Sequence, residues 1–207
     1  MEPTILYIFG LFEDAHNQLF CSLESRIKQK GYICRGIELY SESQFGSYSF
    51  PQEIRQIQDI VDKRKPAMII AHSLGSYIAM QLNFTYPLLL LDPSLTIAEI
   101  MEPNIREKNN ISVYDDGEQC IVLSKEFTSS IAKVPSVEMV CQNSQTKDIC
   151  IVGAGHGGHI VAEQYAACLP TAHYFFLPNA NHDFSDKNDV KEIFKIIKSG
   201  LELFQAA

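Results

Sequence analysis

The sequence predicts an α/β protein: a three-layer, doubly wound, mostly parallel sheet of about six strands, in a single domain over residues 1–207. Three observations carry this. Short apolar runs alternate with longer segments of helical period along most of the chain. The run Leu88-Leu89-Leu90-Leu91 is apolar at every position, as a parallel strand covered on both faces requires. The alternation breaks once, between about 94 and 147, and then resumes, as for an insertion into a continuous sheet.

Thr4 to Phe9 reads as the first strand. A helix from about Asp14 sets Leu19, Phe20, Leu23 and Ile27 on one face and stops at Gly31. Tyr32 to Leu39 is the second strand, followed by a polar and aromatic loop over 41–50. Pro51 opens a helix with Ile54, Ile57, Ile60 and Val61 inward, and Pro66 closes that region. Ala67 to Ala71 is the third strand, and the helix after it carries Leu74, Tyr77, Ile78 and Leu82. Leu88 to Leu91 is the fourth, ending at Asp92-Pro93.

Within 94–147 the pattern gives a short helix or turn. A hairpin follows, in which Ile111 to Tyr114 and Ile121 to Leu123 flank the turn signal Asp115-Asp116-Gly117. This segment is expected to be a small cap above the sheet. Ile149 to Val152 is the fifth strand, a helix spans about His159 to Cys168, and Ala172 to Leu177 is the sixth strand. The final amphipathic helix carries Val190, Ile193, Phe194, Ile197 and Leu201, with Gly200 as its stop.

The net charge of −8 argues against a broad nucleic-acid footprint, and no apolar stretch is long enough to span a bilayer. The N-terminus has no signal pattern, so a cytoplasmic protein is expected. The six cysteines, at 21, 34, 120, 141, 150 and 168, form no C-x-x-C pair and match no zinc spacing; they are read as bystander thiols.

In a doubly wound sheet, sites lie beyond the carboxyl ends of the strands. The third strand runs into Ala71-His72-Ser73-Leu74-Gly75 and then a helix. A serine on so tight a turn needs small residues two before and two after it, which Ala71 and Gly75 supply. The turn lifts the Ser73 hydroxyl clear of the sheet and sets the Leu74 N–H at a helix N-terminus. After the sixth strand comes Asn179-Ala180-Asn181-His182-Asp183-Phe184.

Together these stretches resemble the α/β-hydrolase superfamily in its small serine-esterase form. Ile5 to Leu11 is similar to that family's first core strand and His-Gly-x turn, with Phe9 where His is commoner. Residues 71–75 resemble its elbow, Leu89 to Pro93 its Leu-x-Asp-Pro strand end, and Pro178 to Phe184 its histidine loop. The resemblance implies Ser73 as nucleophile, His182 as general base and then acid, and the backbone N–H groups of Leu11 and Leu74 as an oxyanion hole. It implies an ester or thioester as small-molecule substrate, and neither cofactor nor metal.

The family's usual acid, in a Gly-x-x-Asp turn after the fifth strand, is missing: the chain has Gly153-Ala154-Gly155-His156 there. Asp148 lies at the wrong end of that strand and Glu163 a turn into the next helix. Asp92 is the best substitute; Asp115, Asp116 and Glu118 of the cap are weaker ones. Without an acid, a Ser–His dyad or a catalytically impaired binding protein is the alternative. Gly153-x-Gly155-x-x-Gly158 also fits a dinucleotide fingerprint, but the acidic residue due about 20 positions on is replaced by Phe176-Leu177-Pro178. His72 reads as a packing neighbour of Ser73, and His156 with His159 lacks a third metal ligand. Apolar cap residues Ile111, Val113, Tyr114, Ile121 and Val122 suggest an apolar acyl or aryl group, or simple packing of the cap.

Overall fold

The computed structural model describes residues 2–39, 49–108, 111–117, 120–144, 148–156 and 159–206. The loop expected over 41–50 lies mostly outside these residues, as do Glu118, Gly157 and Gly158.

Six strands form one parallel sheet: β1 (Thr4–Leu11), β2 (Ile33–Leu39), β3 (Met68–His72), β4 (Leu88–Leu91), β8 (Ile149–Ala154) and β9 (His173–Leu177), in the order β2-β1-β3-β4-β8-β9. Between β4 and β8 lie α4 (Ile97–Met101), a 3₁₀ turn (Glu102–Asn104), an antiparallel sheet of β5 (Ile105–Lys108), β6 (Ile111–Asp115) and β7 (Cys120–Leu123), then α5 (Lys125–Ile131) and α6 (Val137–Asn143). The hairpin is the expected one. The strand β5 was not expected: Ile105-Arg106-Glu107-Lys108 is too polar to signal a strand, and pairing with β6 makes it one.

The period of two along each strand sorts side chains onto two faces. Ile5, Tyr7, Phe9, Met68, Ile70, Leu89, Leu91 and Val152 pack with α1 (Gln18–Lys28) and α8 (Lys187–Ala206). Leu6, Ile8, Ile69, Ala71, Leu88, Leu90 and Ile151 pack with α2 (Phe50–Arg64), α3 (Leu74–Ala79) and α7 (His159–Cys168). That second core continues into the inserted segment through Tyr114, Leu123, Phe127 and Ile131. Val190, Ile193, Ile197 and Leu201 of α8 are buried, each contributing about 1.5–3 kcal/mol.

Three boundaries differ from expectation. The first helix starts at Gln18, where the Asn17 side chain accepts the Phe20 N–H as a cap. The helix after the elbow ends at Ala79, and Leu82 is buried beyond it. Gly200 does not stop the last helix, which runs on to Ala206; the Met68 methyl fills the space beside it, 2.6 Å from where a Cβ would lie. Among the described residues no helix is long and apolar enough to cross a membrane.

Candidate active site

Among the described residues, four of the five non-glycine ones with positive φ gather at the carboxyl edge of the sheet: Phe12 (61°), Ser73 (50°), Asp92 (39°) and Phe184 (46°). Each such conformation costs about 1–3 kcal/mol and persists only where the surroundings impose it. The surroundings of Ser73 are clear. A Cβ on Gly75 would lie 2.4 Å from the Phe9 carbonyl oxygen and 2.5 Å from that of Ile8, so α3 begins pressed against β1. The Ser73 N–H donates to the Leu91 carbonyl at 3.0 Å, and its own carbonyl accepts the Ser94 N–H at 3.2 Å, tying the turn to the end of β4. A Cβ on Gly10 would lie 3.0 Å from Ser73 Cβ, so the glycine eases the close approach of the end of β1, with Leu11, to the Ser73 turn.

Asp92 is fully buried. Its Oδ1 accepts the Ala154 N–H at 2.9 Å, and its Oδ2 lies 2.5 Å from His182 Nδ1. A carboxylate can only accept, so the contact needs a proton on Nδ1, and the tautomer with that proton has its lone pair on Nε2. The end of β8, where the resemblance implies an acid, instead supplies the backbone N–H that Asp92 Oδ1 accepts.

Glycine again sets a close approach in the histidine loop. A Cβ on Gly155 would lie 2.0 Å from the Pro178 carbonyl oxygen. The Gly155 N–H donates to Leu177 at 2.9 Å and the His156 N–H to Ala180 at 3.2 Å, with His156 Nδ1 also 2.8 Å from that carbonyl. The glycine pattern read as a possible phosphate cradle thus includes a residue whose bareness seats the loop bearing His182.

The same topology recurs among solved structures. Est1E from Butyrivibrio proteoclasticus matches with a TM-score of 0.75 at 12% identity, over 99% of this chain and 89% of that one. The esterase domain of a Rhodothermus marinus protein matches at 0.67 and 15% identity, over 96% and 87%. Alpha/beta hydrolase domain-containing protein 10 from mouse matches at 0.68 and 11%, over 97% and 90%. The chain has the α/β-hydrolase fold. No family profile matches its sequence, and no curated protein matches it in sequence.

In this α/β-hydrolase fold two further residues stand at the site, one unnoticed in the sequence and one undervalued. His72 is fully buried, as a packing neighbour would be, yet both its ring nitrogens are engaged. Nδ1 is 2.7 Å from Glu13 Oε1 and Nε2 is 2.9 Å from the His182 carbonyl oxygen. Glu13 Oε2 accepts the Gly10 N–H at 2.6 Å, and Oε1 accepts Asn17 Nδ2 at 3.2 Å. Burial pushes the Glu13 carboxyl up, but the hydrogen bond and charge of His72 and the Gly10 N–H outweigh it and hold it below the usual carboxylate range. Burial likewise pushes His72 down, and Glu13 outweighs it and raises the imidazole above its ordinary value. The sequence signal for Glu13, an acid three residues past the Gly10 turn, is indistinguishable from the acidic start of a helix.

Of the apolar residues expected in the cap, Tyr114 is buried, its ring centroid 5.8 Å from that of Phe12 beside Leu11, Val113 and Ile121 are half-buried, and Ile111 and Val122 are exposed. Asp115 forms an exposed ion pair with Arg106, Asp116 accepts the Tyr114 hydroxyl, and Asp148 and Glu163 are exposed outside β8. All six cysteines are free thiols; burial pushes those of Cys34 and Cys141 up to about 12. Among the described residues no group of three His, Cys, Asp or Glu side chains is arranged to hold a metal ion.

Proposed function

We propose that the protein is a serine hydrolase that cleaves an ester or thioester through an acyl-enzyme on Ser73, with residues 94–147 as a cap beside the site. The observation that carries this is the 2.5 Å contact between Asp92 and His182 Nδ1 on the sheet edge that also presents the strained Ser73. The Ser73 hydroxyl gives its proton to His182 Nε2 as Oγ bonds to the substrate carbonyl carbon. The oxyanion formed is met by the backbone N–H groups of Leu11 and Leu74, each such donor being worth about 10²–10³ in rate. His182 then protonates the departing alcohol or thiol as its bond to the carbonyl breaks. In the second half, water attacks the acyl-enzyme carbonyl as His182 takes its proton; the Ser73 Oγ–acyl bond then breaks, His182 returns that proton to Oγ, and the acid leaves.

The acid needed to fix the imidazole tautomer is at hand in Asp92, which favours catalysis over the impaired binding module. The rings of Phe12 and Tyr114 beside Leu11 suit an apolar acyl or aryl group. A structure of Est1E with ferulic acid bound makes esters of aromatic acids reasonable first substrates. The test is hydrolysis of p-nitrophenyl butyrate together with labelling by a fluorophosphonate probe. Both are expected in the wild type and lost in Ser73→Ala. Folded wild-type protein that shows neither overturns the proposal in favour of a binding protein.

A further inference from the structure

The mechanism above uses Asp92 and His182 and leaves a second carboxylate–imidazole couple, Glu13 and His72, with no task. Its proton count is fixed by its partners. The His182 carbonyl can only accept, so His72 Nε2 carries a proton. Glu13 already receives N–H donors from Gly10 and Asn17, which suits a carboxylate, so the 2.7 Å contact is closed by a proton on Nδ1 as well. His72 is then a fully buried imidazolium, and the Glu13 side chain beside it keeps slight exposure. The pair bridges three segments: Glu13 holds the turn that carries Leu11, His72 adjoins Ser73, and its Nε2–H holds the backbone of His182, whose ring lies 4.9 Å away by centroid.

We propose that Glu13 and His72 are positioning residues, a carboxylate–imidazolium clamp, buried at the imidazole and half-buried at the carboxylate, that keeps the oxyanion turn, the nucleophile elbow and the His182 loop in register. Its catalytic purpose rests on the esterase function proposed above; the clamp itself rests on the contacts. The titratable groups facing His72 are Glu13 from the turn after β1, Asp92 from the end of β4 and His182 from its loop; the buried Tyr7 hydroxyl of β1 lies toward Glu13. The Phe184 ring closes another side, edge-on at 6.1 Å. Stripping Nδ1 of its proton at high pH leaves a lone pair facing the Glu13 carboxylate, and the clamp opens.

Two measurements on the full chain test this. In a long-range proton–nitrogen spectrum at pH 7, assigned by its loss in His72→Gln, His72 is expected to show both ring nitrogens protonated. Glu13→Gln is expected to leave one protonated, because the carboxamide can donate to Nδ1. In kinetics with p-nitrophenyl butyrate, Glu13→Ala is expected to lower kcat by about 10²-fold with little change in KM, as misplacement on the ångström scale does. Glu13→Gln should recover most of that loss near neutrality and move the alkaline limb of kcat to higher pH. A singly protonated His72 in the wild type, or an unchanged kcat and pH profile in Glu13→Ala, overturns the clamp. Should Glu13→Ala fail to fold, an unmoved alkaline limb in Glu13→Gln overturns it alone. A doubly protonated His72 in a wild type that neither hydrolyses ester nor takes up the probe sinks the esterase proposal, and with it the catalytic purpose of the clamp.

Discussion

Asp92 offers its two oxygens to two different donors, and this division predicts what its amide would do. Oδ1 takes the Ala154 N–H in a site with no water, so in Asp92→Asn the amide oxygen must stay there to spare that donor. The amide nitrogen is left facing His182 Nδ1, which can then only accept. The ring proton moves to Nε2, and the lone pair that would take the Ser73 proton is gone. An equivalent change in a well-studied triad costs about 10⁴ in turnover by this route, so a loss of about that size in kcat is expected, with the melting temperature nearly unmoved. Steady-state hydrolysis beside thermal unfolding checks it; a loss below tenfold would remove Asp92 from the chemistry. As a candidate, Asp92 was legible from its place at the end of an apolar strand. The choice between it and the weaker candidate acids was open, because which acid meets His182 depends on the path of the loop over 178–185. Glu13 was still less legible: nothing near it in sequence says that its carboxylate lies against a histidine 59 positions away.

Among the elements, strands and helices were readable where local pattern and tertiary demand agree, as in Leu88 to Leu91 or the buried face of α1. They were unreadable where a partner supplies the reason, as in β5, and so was the part played by two glycines. Gly200 reads as a helix stop and Gly155 as one glycine of a turn that fits a dinucleotide fingerprint only in part, yet at each a neighbouring atom occupies the space of the missing Cβ. The case of Gly155 can be tested. In Gly155→Ala the methyl would fall 2.0 Å from the Pro178 carbonyl oxygen, a backbone atom that cannot swing aside as a flexible side chain would. The loop carrying His182 must therefore shift, and the reaction with it. Gly155→Ala is expected to lower kcat by about 10²-fold by misplacing the base. Fluorophosphonate labelling of Ser73 should slow in parallel, and nucleotide affinity has no part in the effect. A variant that labels at the wild-type rate would show that the loop yields without moving His182.

Across the whole molecule, the site joins regions of unequal security. Ser73 and Asp92 hang from β3 and β4, central strands in which every residue is buried. His182 follows β9, an edge strand paired on one side only, with Phe175 and Phe176 both exposed. Local opening takes place where few apolar contacts must be broken, so the edge should open without the centre. Amide hydrogen exchange is expected to be slowest at Ile69, Ile70, Leu89 and Leu90, which should exchange only through global unfolding. The amides of β9 should exchange faster, by an amount that denaturant changes little. A covalent acyl or phosphonyl group on Ser73 would draw His182 into contact with the adduct and should slow exchange in β9 and the loop after it, leaving β3 and β4 unaffected. If β9 already exchanges as slowly as β3 in the unmodified protein, the sheet opens as one unit. The base would then be as firmly held as the nucleophile, and no adduct-dependent protection would be seen.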